Sequence, residues 1–410
     1  MKVICIVSSG QPSANPRVVK EAISLSRAGY RIKVIYCPLS AWADPFDRVL
    51  FEAHPEIKWE QAGYHRDRQR AGYLFARMRK RFYSEVYKLS GNRFNAAILS
   101  SSLFSRELEK KAKKHRADLY IGHNLGALPA VVKAAKKYGT KCSFDFEDFH
   151  RGETGKNSLQ WEKNAETEGM YIPSLNFAST ASPMITGAYQ FLFPKIDLFT
   201  VNNCFPLKYA AKTLISLEQE PMKLFWFSQN VGKGRGLENI IEAMGLTGNG
   251  NISLTLLGNC TESIQDYFSD IALHAGLGRE QLLFHGVVEE KEIVRIAAQH
   301  HIGIASEVPL TVNHNICLAN KIFMYLPAGN AILFSDTKAH SFFLKENPGT
   351  GMLYRYNDIA DTAAVLRLYL QNPLLLAEHR KTAFNLGQTK FNWDIESQIL
   401  LDKIREVIGN

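Results

Sequence analysis

The chain of 410 residues carries a net charge of +9 and a hydrophobic share of 46%. That length exceeds one ordinary core and implies two domains, and the hydrophobic share is that of a soluble globular protein. Six cysteines (Cys5, Cys37, Cys142, Cys204, Cys260 and Cys317) stand far apart with no CxxC pair. That excludes a disulfide framework or a zinc site and fits reduced core thiols of a cytoplasmic protein. No apolar run reaches the length of a membrane span, and VICIV after Lys2 is too short for a signal peptide.

Met1 to Val7 reads as a first strand. A small-residue loop, Ser8 to Asn15, leads into a helix from Pro16 to about Ala28, with Asn15 as cap and Pro16 at the first helical position. Gly29 stops the helix, and RIKVIY is the second strand. The opening lacks G-x-G-x-x-G, which argues against a nicotinamide enzyme. Gly10 lies in the loop over the helix start. Arg17, in the first turn, opposes the helix dipole and calls for an anion or a carboxylate partner.

Residues 39–63 read as a long surface connection. From His65 to Arg93 there are nine Lys/Arg against Asp67 and Glu85, with Tyr73, Leu74, Phe75, Met78, Phe82, Tyr83 and Tyr87 interleaved. A basic helix with aromatics points to an anionic membrane surface or a lipid-linked acceptor, or to a solvated helix whose aromatics are core. No nucleic-acid recognition motif is present. ADLYIG is a strand ending at His123-Asn124, followed by a helix from about Ala127 to Tyr138. CSFDF is another, ending in Glu147-Asp148-Phe149-His150. Ligands of open α/β sheets bind at the carboxyl ends of strands, so His123, Asp145, Glu147, Asp148 and His150 are expected at one crevice. IDLFTV closes the first half, and Asn202-Asn203 reads as a linker.

The second half restarts the pattern. KLFWF is a strand, and the loop SQNVGKGRG places Lys233 and Arg235 before a helix from Leu237 to Met244, an arrangement suited to phosphate. Strands follow at Ile252 to Leu257, Leu282 to Val288 and Ile302 to Ala305, alternating with helices over 262–275 and 289–300. This alternation implies a second doubly wound parallel sheet. NKIFMYLPAGNAILFSD sets Asn320 and Lys321 at a helix start and AILF as a buried strand. Helices over 358–370 and 374–386 precede a last amphipathic helix, Trp393 to Ile408.

Taken together, PRVVKEAISLSRAGYRIKVIY, ADLYIGHN, FDFED, GKGRGLENIIEAM, FHGVV, NKIFMYLPAGNAI and FNWD resemble, in that order, a glycosyltransferase of the GT-B fold, most like glycosyltransferase family 4. The resemblance implies two Rossmann-like domains facing across a cleft: an acceptor-side domain at 1–203, a nucleotide-sugar domain at 204–388, and a helix at 389–410 crossing back to the first. It implies a retaining, metal-independent sugar transferase with no cofactor, whose donor is a nucleotide diphosphate sugar. The acceptor would be a glycan or lipid-linked molecule of surface polysaccharide or glycolipid synthesis.

By the same resemblance His123 is catalytic and contacts the reacting sugar. Lys233, Arg235, Lys321 and Gly10 hold the diphosphate, and His285, Gly286, Val287 and Asn320 the nucleoside. Arg17, Asp145, Glu147 and Asp148 lie on the acceptor side. Two positions depart from the pattern. Met324 stands where relatives carry the second Glu of E-x7-E, and Gln229 where a loop Arg is usual, so ribose recognition loses its common groups. Two other readings share the fold: a nucleotide-sugar 2-epimerase using Asp145, Glu147 and Asp148, and a non-catalytic nucleotide-sugar-binding subunit.

Overall fold

The computed structural model describes residues 1–216, 221–248 and 250–409. The chain divides into two compact units. Unit 1 is Met1–Asn202 with Thr311–Asn313 and Ser397–Asn410; unit 2 is Asn203–Leu310 with His314–Glu396.

Unit 1 holds seven strands: β1 Val3–Ser8, β2 Arg31–Tyr36, β3 Lys58–Gln61, β4 Leu119–His123, β5 Lys141–Phe146, β6 Phe177–Thr180 and β7 Leu198–Thr200. They pair in parallel in the order β3-β2-β1-β4-β5-β6-β7. The apolar run of β1 is central and buried, as a parallel strand covered on both faces requires. The order reverses between β1 and β4, which makes their carboxyl ends a topological switch point. The helix Pro16–Arg27 starts as the sequence indicates: the Asn15 side chain accepts from the backbone N–H of Arg17 and Val18.

Residues 39–63 are not a surface connection. They form a helix at Asp44–Ala53 and the edge strand β3. Pro45 in the first turn is compatible with a helix, and Phe51 stacks on Trp59 of β3 at 4.8 Å, so the segment packs as one layer.

Unit 2 holds β8 Met222–Asn230, β9 Ile252–Asn259, β10 Leu282–His285, β11 Ile302–Ala305, β12 Ala331–Ser335 and β13 Gly351–Tyr354. All pair in parallel, in the order β10-β9-β8-β11-β12-β13. The switch point lies between β8 and β11. Its core gathers Leu224, Trp226, Ile240, Leu254, Ile304 and Leu333. The strand expected to end at Phe227 runs on to Asn230 through a register shift, so the loop before the next helix is shorter than the sequence suggests. The last helix spans Trp393–Ile408. No helix of the described residues is long and apolar enough to cross a membrane. All six cysteines are free, four of them buried.

Candidate functional site

In unit 1 the parallel register sets Ser8, His123, Asp145 and Ser179 level with one another across β1, β4, β5 and β6. A row of polar side chains in a buried sheet needs partners. The helix Pro16–Arg27 supplies them. Arg17 is 1% exposed, and its Nε and Nη2 donate to Asp145 at 2.7–3.0 Å while Nη1 donates to the Val201 carbonyl at 2.7 Å. Ser179 Oγ also donates to Asp145, at 2.9 Å. The anion that Arg17 calls for is therefore Asp145, and this pair is structural framework within the switch-point end of the sheet.

His123 does not turn an open ring to a crevice. Its side chain is fully buried, with Nε2 3.0 Å from Glu21 Oε2 and Nδ1 3.0 Å from Glu147 Oε1. Glu21 lies one helical turn beyond Arg17, which brings it over the strand end. Burial disfavours the charged ring, but Glu21 and Glu147 outweigh it and raise its pKa to about 10. The ring is thus an imidazolium, and both N–H groups donate to carboxylates. Glu147 Oε1 also accepts from Asn15 Nδ2 at 2.6 Å. Burial works against the Glu147 carboxylate, yet His123, Asn15 and Arg17 hold its pKa below the usual range. Its side chain is 20% exposed, so the group this strand end offers outward is Glu147. Glu21, His123 and Asp145 also bring one ligand atom each within 4.8 Å. The cations Arg17 and His123 already lie among these carboxylates, which a metal ion there would have to oppose.

Beside this network, unit 1 has a cavity of about 680 Å³, lined by Ser9, Asn124 and Gly126 at the ends of β1 and β4 and by Asp148, His150 and Glu153 after β5. Ser101, Ser102, Gln160 and Asn164 add further polar groups, and Lys80, Leu103 and Phe104 close another side. Gly10 sits at its edge: a Cβ there would meet Asn124 Oδ1 at 3.3 Å. A Cβ on Gly126 would lie 2.4 Å from Ser102 Oγ and 2.8 Å from Ser9 Cβ, so these serines would have to shift to admit one. Burial raises the Asp148 carboxyl, and Asn313 donates to it at 2.8 Å while accepting from the Phe149 N–H at 2.7 Å. Burial opposes the charge of His150, but Glu153, 2.6 Å away, lifts it to about 9. Neither Glu21 nor Asn313 has a sequence signal that marks it; both are recruited by the fold.

In unit 2 the carboxyl end of β11 joins the two cationic elements. Ser306 Oγ donates to the Arg235 carbonyl at 2.7 Å, and Glu307 pairs with Lys321 Nζ at 2.9 Å. The Lys233–Gly236 loop and the start of the helix Asn320–Ala328 are therefore fastened to adjacent residues at the switch point. Gly236 carries φ +77°, and a Cβ on it would meet the Ser306 carbonyl at 3.1 Å. Neither the helix Leu237–Leu246 nor Asn320–Ala328 has a capping side chain, so both offer first-turn N–H groups to an anion. Lys233 and Arg235 are exposed; Lys233 Nζ lies 3.7 Å over the Tyr267 ring, and Arg235 donates to Ser228 Oγ at 3.1 Å. Asn320 accepts from Asn203 Nδ2 at 2.9 Å. His285, Gly286 and Val287 are exposed at the end of β10, the edge strand, separated from β11 by β9 and β8. Met324 is fully buried inside its helix, so that position packs the core.

No protein-family model and no curated protein sequence matches the chain. Solved structures do. HepE from Anabaena, in complex with UDP, superposes with a TM-score of 0.70 over 99% of this chain and 100% of its own, at 14% identity. The chain has the GT-B fold. Sucrose-phosphate synthase from Thermosynechococcus elongatus gives a TM-score of 0.71 at 12% identity, covering 99% of each chain. TarM from S. aureus, in a complex that includes UDP, gives 0.67 at 11% identity over 100% of both. The two parallel sheets, each with a switch point near its centre, are the Rossmann-like halves of this GT-B chain.

Proposed function

We propose that the protein is a retaining glycosyltransferase that moves a sugar from a nucleoside diphosphate sugar to a hydroxyl-bearing glycan or lipid-linked acceptor, at the cytoplasmic face of a membrane. The observation that carries this reading is the β11 end in unit 2, where Ser306 and Glu307 fasten the Arg235 loop and the Lys321 helix start together. A leaving nucleoside diphosphate gains negative charge as the glycosidic bond breaks. Fixed cations and first-turn N–H groups stabilise that state more than the ground state, so Lys233, Arg235 and Lys321 need no metal partner for the task. UDP in the HepE and TarM structures supports a uridine nucleotide as the donor class. His285, Gly286, Val287 and Asn320 are proposed to meet the nucleoside.

In unit 1 the cavity rich in amides and hydroxyls suits a polyol acceptor. Asp148 orients the accepting hydroxyl there. His123 is proposed as a positioning residue that fixes Glu147, the half-buried carboxylate proposed to face the sugar. One observation favours a second reading, a nucleotide-sugar-binding subunit without turnover: Met324 is core, so the usual ribose carboxylate has no substitute at that position. The epimerase reading loses a free acid/base group, because Asp145 is held by Arg17 and Ser179.

The test is incubation with a panel of nucleotide sugars, with and without polyol acceptors, followed by mass spectrometry of nucleotide and sugar products. Nucleoside diphosphate release that grows with acceptor supports transfer. Binding without release supports the subunit reading, and sugar epimerisation without release contradicts both.

A further inference from the structure

The segment at 65–93 contributes nine cations to the sequence, and the fold sorts them. Arg79 turns inward, where it donates to both Glu107 oxygens at 2.6–2.7 Å and to the Leu103 carbonyl at 3.1 Å. Lys80 lines the unit 1 cavity, and burial lowers its pKa. Ala76 and Tyr87 are buried on the same inner side. The outer side of the helix Arg70–Ser90 has a different character. Leu74, Phe75, Met78, Phe82 and Leu89 are 54–87% exposed. At 3.6 residues per turn these five fall within one arc of about 100°, and Arg70, Arg77, Arg81 and Lys88 occupy an adjoining arc of about 40°.

Isolated exposed apolar side chains are ordinary, but a single stripe of five is not. Past the helix end Phe94 is also exposed, at 77%, with φ 58°. At the other end, Asp44 bonds to His65 at 2.8 Å and Arg68 at 3.3 Å, and its own helix adds exposed Phe46 and Val49. Arg70, Arg77 and Arg81 make no ion pair among the described residues. An apolar stripe beside a cationic one is the division that lets a helix lie flat in a lipid interface, with the stripe among acyl chains and the cations at headgroups. The same cations oppose contact with a second copy of this face.

We propose that the outer face of Arg70–Ser90 is a docking surface for an anionic lipid bilayer. The helix then serves two sides at once: its outer stripes hold the lipid, and its inner residue Lys80 lines the cavity, so docking brings that cavity to the membrane. This consequence rests on the proposed transfer to a lipid-linked acceptor; the docking itself does not.

The test is co-sedimentation with vesicles of phosphatidylcholine alone or with 30% phosphatidylglycerol, a composition chosen to be on the order of a natural anionic leaflet. The native chain is expected to bind the anionic vesicles at least tenfold more tightly and to lose that preference at high salt. The variant Phe75→Ser/Met78→Ser/Phe82→Ser should lose at least tenfold, as should Arg70→Gln/Arg77→Gln/Arg81→Gln. Unchanged melting of both variants shows that they fold, and Phe82→Trp reports insertion as a blue shift of its emission. Native protein left in the supernatant at low salt overturns the proposal. So does binding that both triple variants retain, capture of single-stranded nucleic acid in place of vesicles, or a dimer dissolved by the serine variant. Transfer to a water-soluble acceptor keeps the two readings apart. Docking without transfer removes the proposed function, and transfer without docking removes this inference.

Discussion

At the residue scale, the buried charges of unit 1 decide stability. Arg17 and Asp145 sit together out of water, so removing one partner leaves the other unpaired. Arg17→Met is expected to cost about 3–5 kcal/mol in urea unfolding, and a loss under 1 kcal/mol would show that the carboxylate finds other support. His123 gives a pH signature. Its pKa rises from 6.5 in the unfolded chain to about 10 in the fold. A raised pKa adds stability that is complete below the unfolded value and is lost as pH rises through the folded value. The unfolding midpoint should therefore fall between about pH 6.5 and 10, and His123→Gln should flatten that slope. Parallel curves for the two proteins would exclude an imidazolium at this position. In unit 2, Arg235 is exposed, and among the described residues its side chain hydrogen-bonds to Ser228 alone. Arg235→Ala should leave melting unchanged while weakening nucleoside diphosphate binding by about 1.5–3 kcal/mol in calorimetry.

At the element scale, the start of the helix Leu237–Leu246 is set by Gly236. Its positive φ and the Ser306 carbonyl 3.1 Å from a would-be Cβ leave an alanine strained. Gly236→Ala is expected to destabilise by roughly 1–3 kcal/mol and to weaken diphosphate binding as the loop shifts; a melting curve and a titration read the two effects separately. This loop was legible in the sequence because glycines and cations before a helix have one local meaning. The alternating strands were legible for the same reason, since VICIV and AILF are apolar enough to be buried on both faces. Residues 39–63 were not, because a short amphipathic helix with Pro45 and an edge strand of four residues carry little periodicity. The sequence puts His123 at a strand end but carries no sign of its burial. Its enclosure depends on Glu21, which only the packing of another element brings near.

At the scale of the whole molecule, the charge of +9 separates into two kinds of cation. Arg70, Arg77, Arg81 and Lys88 lie along the outer face of the helix Arg70–Ser90, whereas Lys233, Arg235 and Lys321 gather at the β8/β11 switch point of unit 2. On the proposed function the second group receives the diphosphate, so ligand stabilisation should follow it. At 100-fold saturation a nucleoside diphosphate is expected to add about 2.7 kcal/mol to the unit that binds it. For a unit of this size each kcal/mol moves the melting point by roughly 2–4 °C, so the transition of unit 2 should rise by about 5–10 °C. UDP and UDP-sugars should act strongly and inorganic phosphate weakly. Arg235→Ala combined with Lys321→Ala should abolish the shift, while Arg77→Gln combined with Arg81→Gln should leave it intact. With cations and first-turn N–H groups proposed as the main contacts, a nucleoside diphosphate should act more strongly than the monophosphate. A scan in which no nucleoside diphosphate or nucleotide sugar moves the transition would refute the donor site. A shift lost in the Arg77/Arg81 variant would relocate it to unit 1.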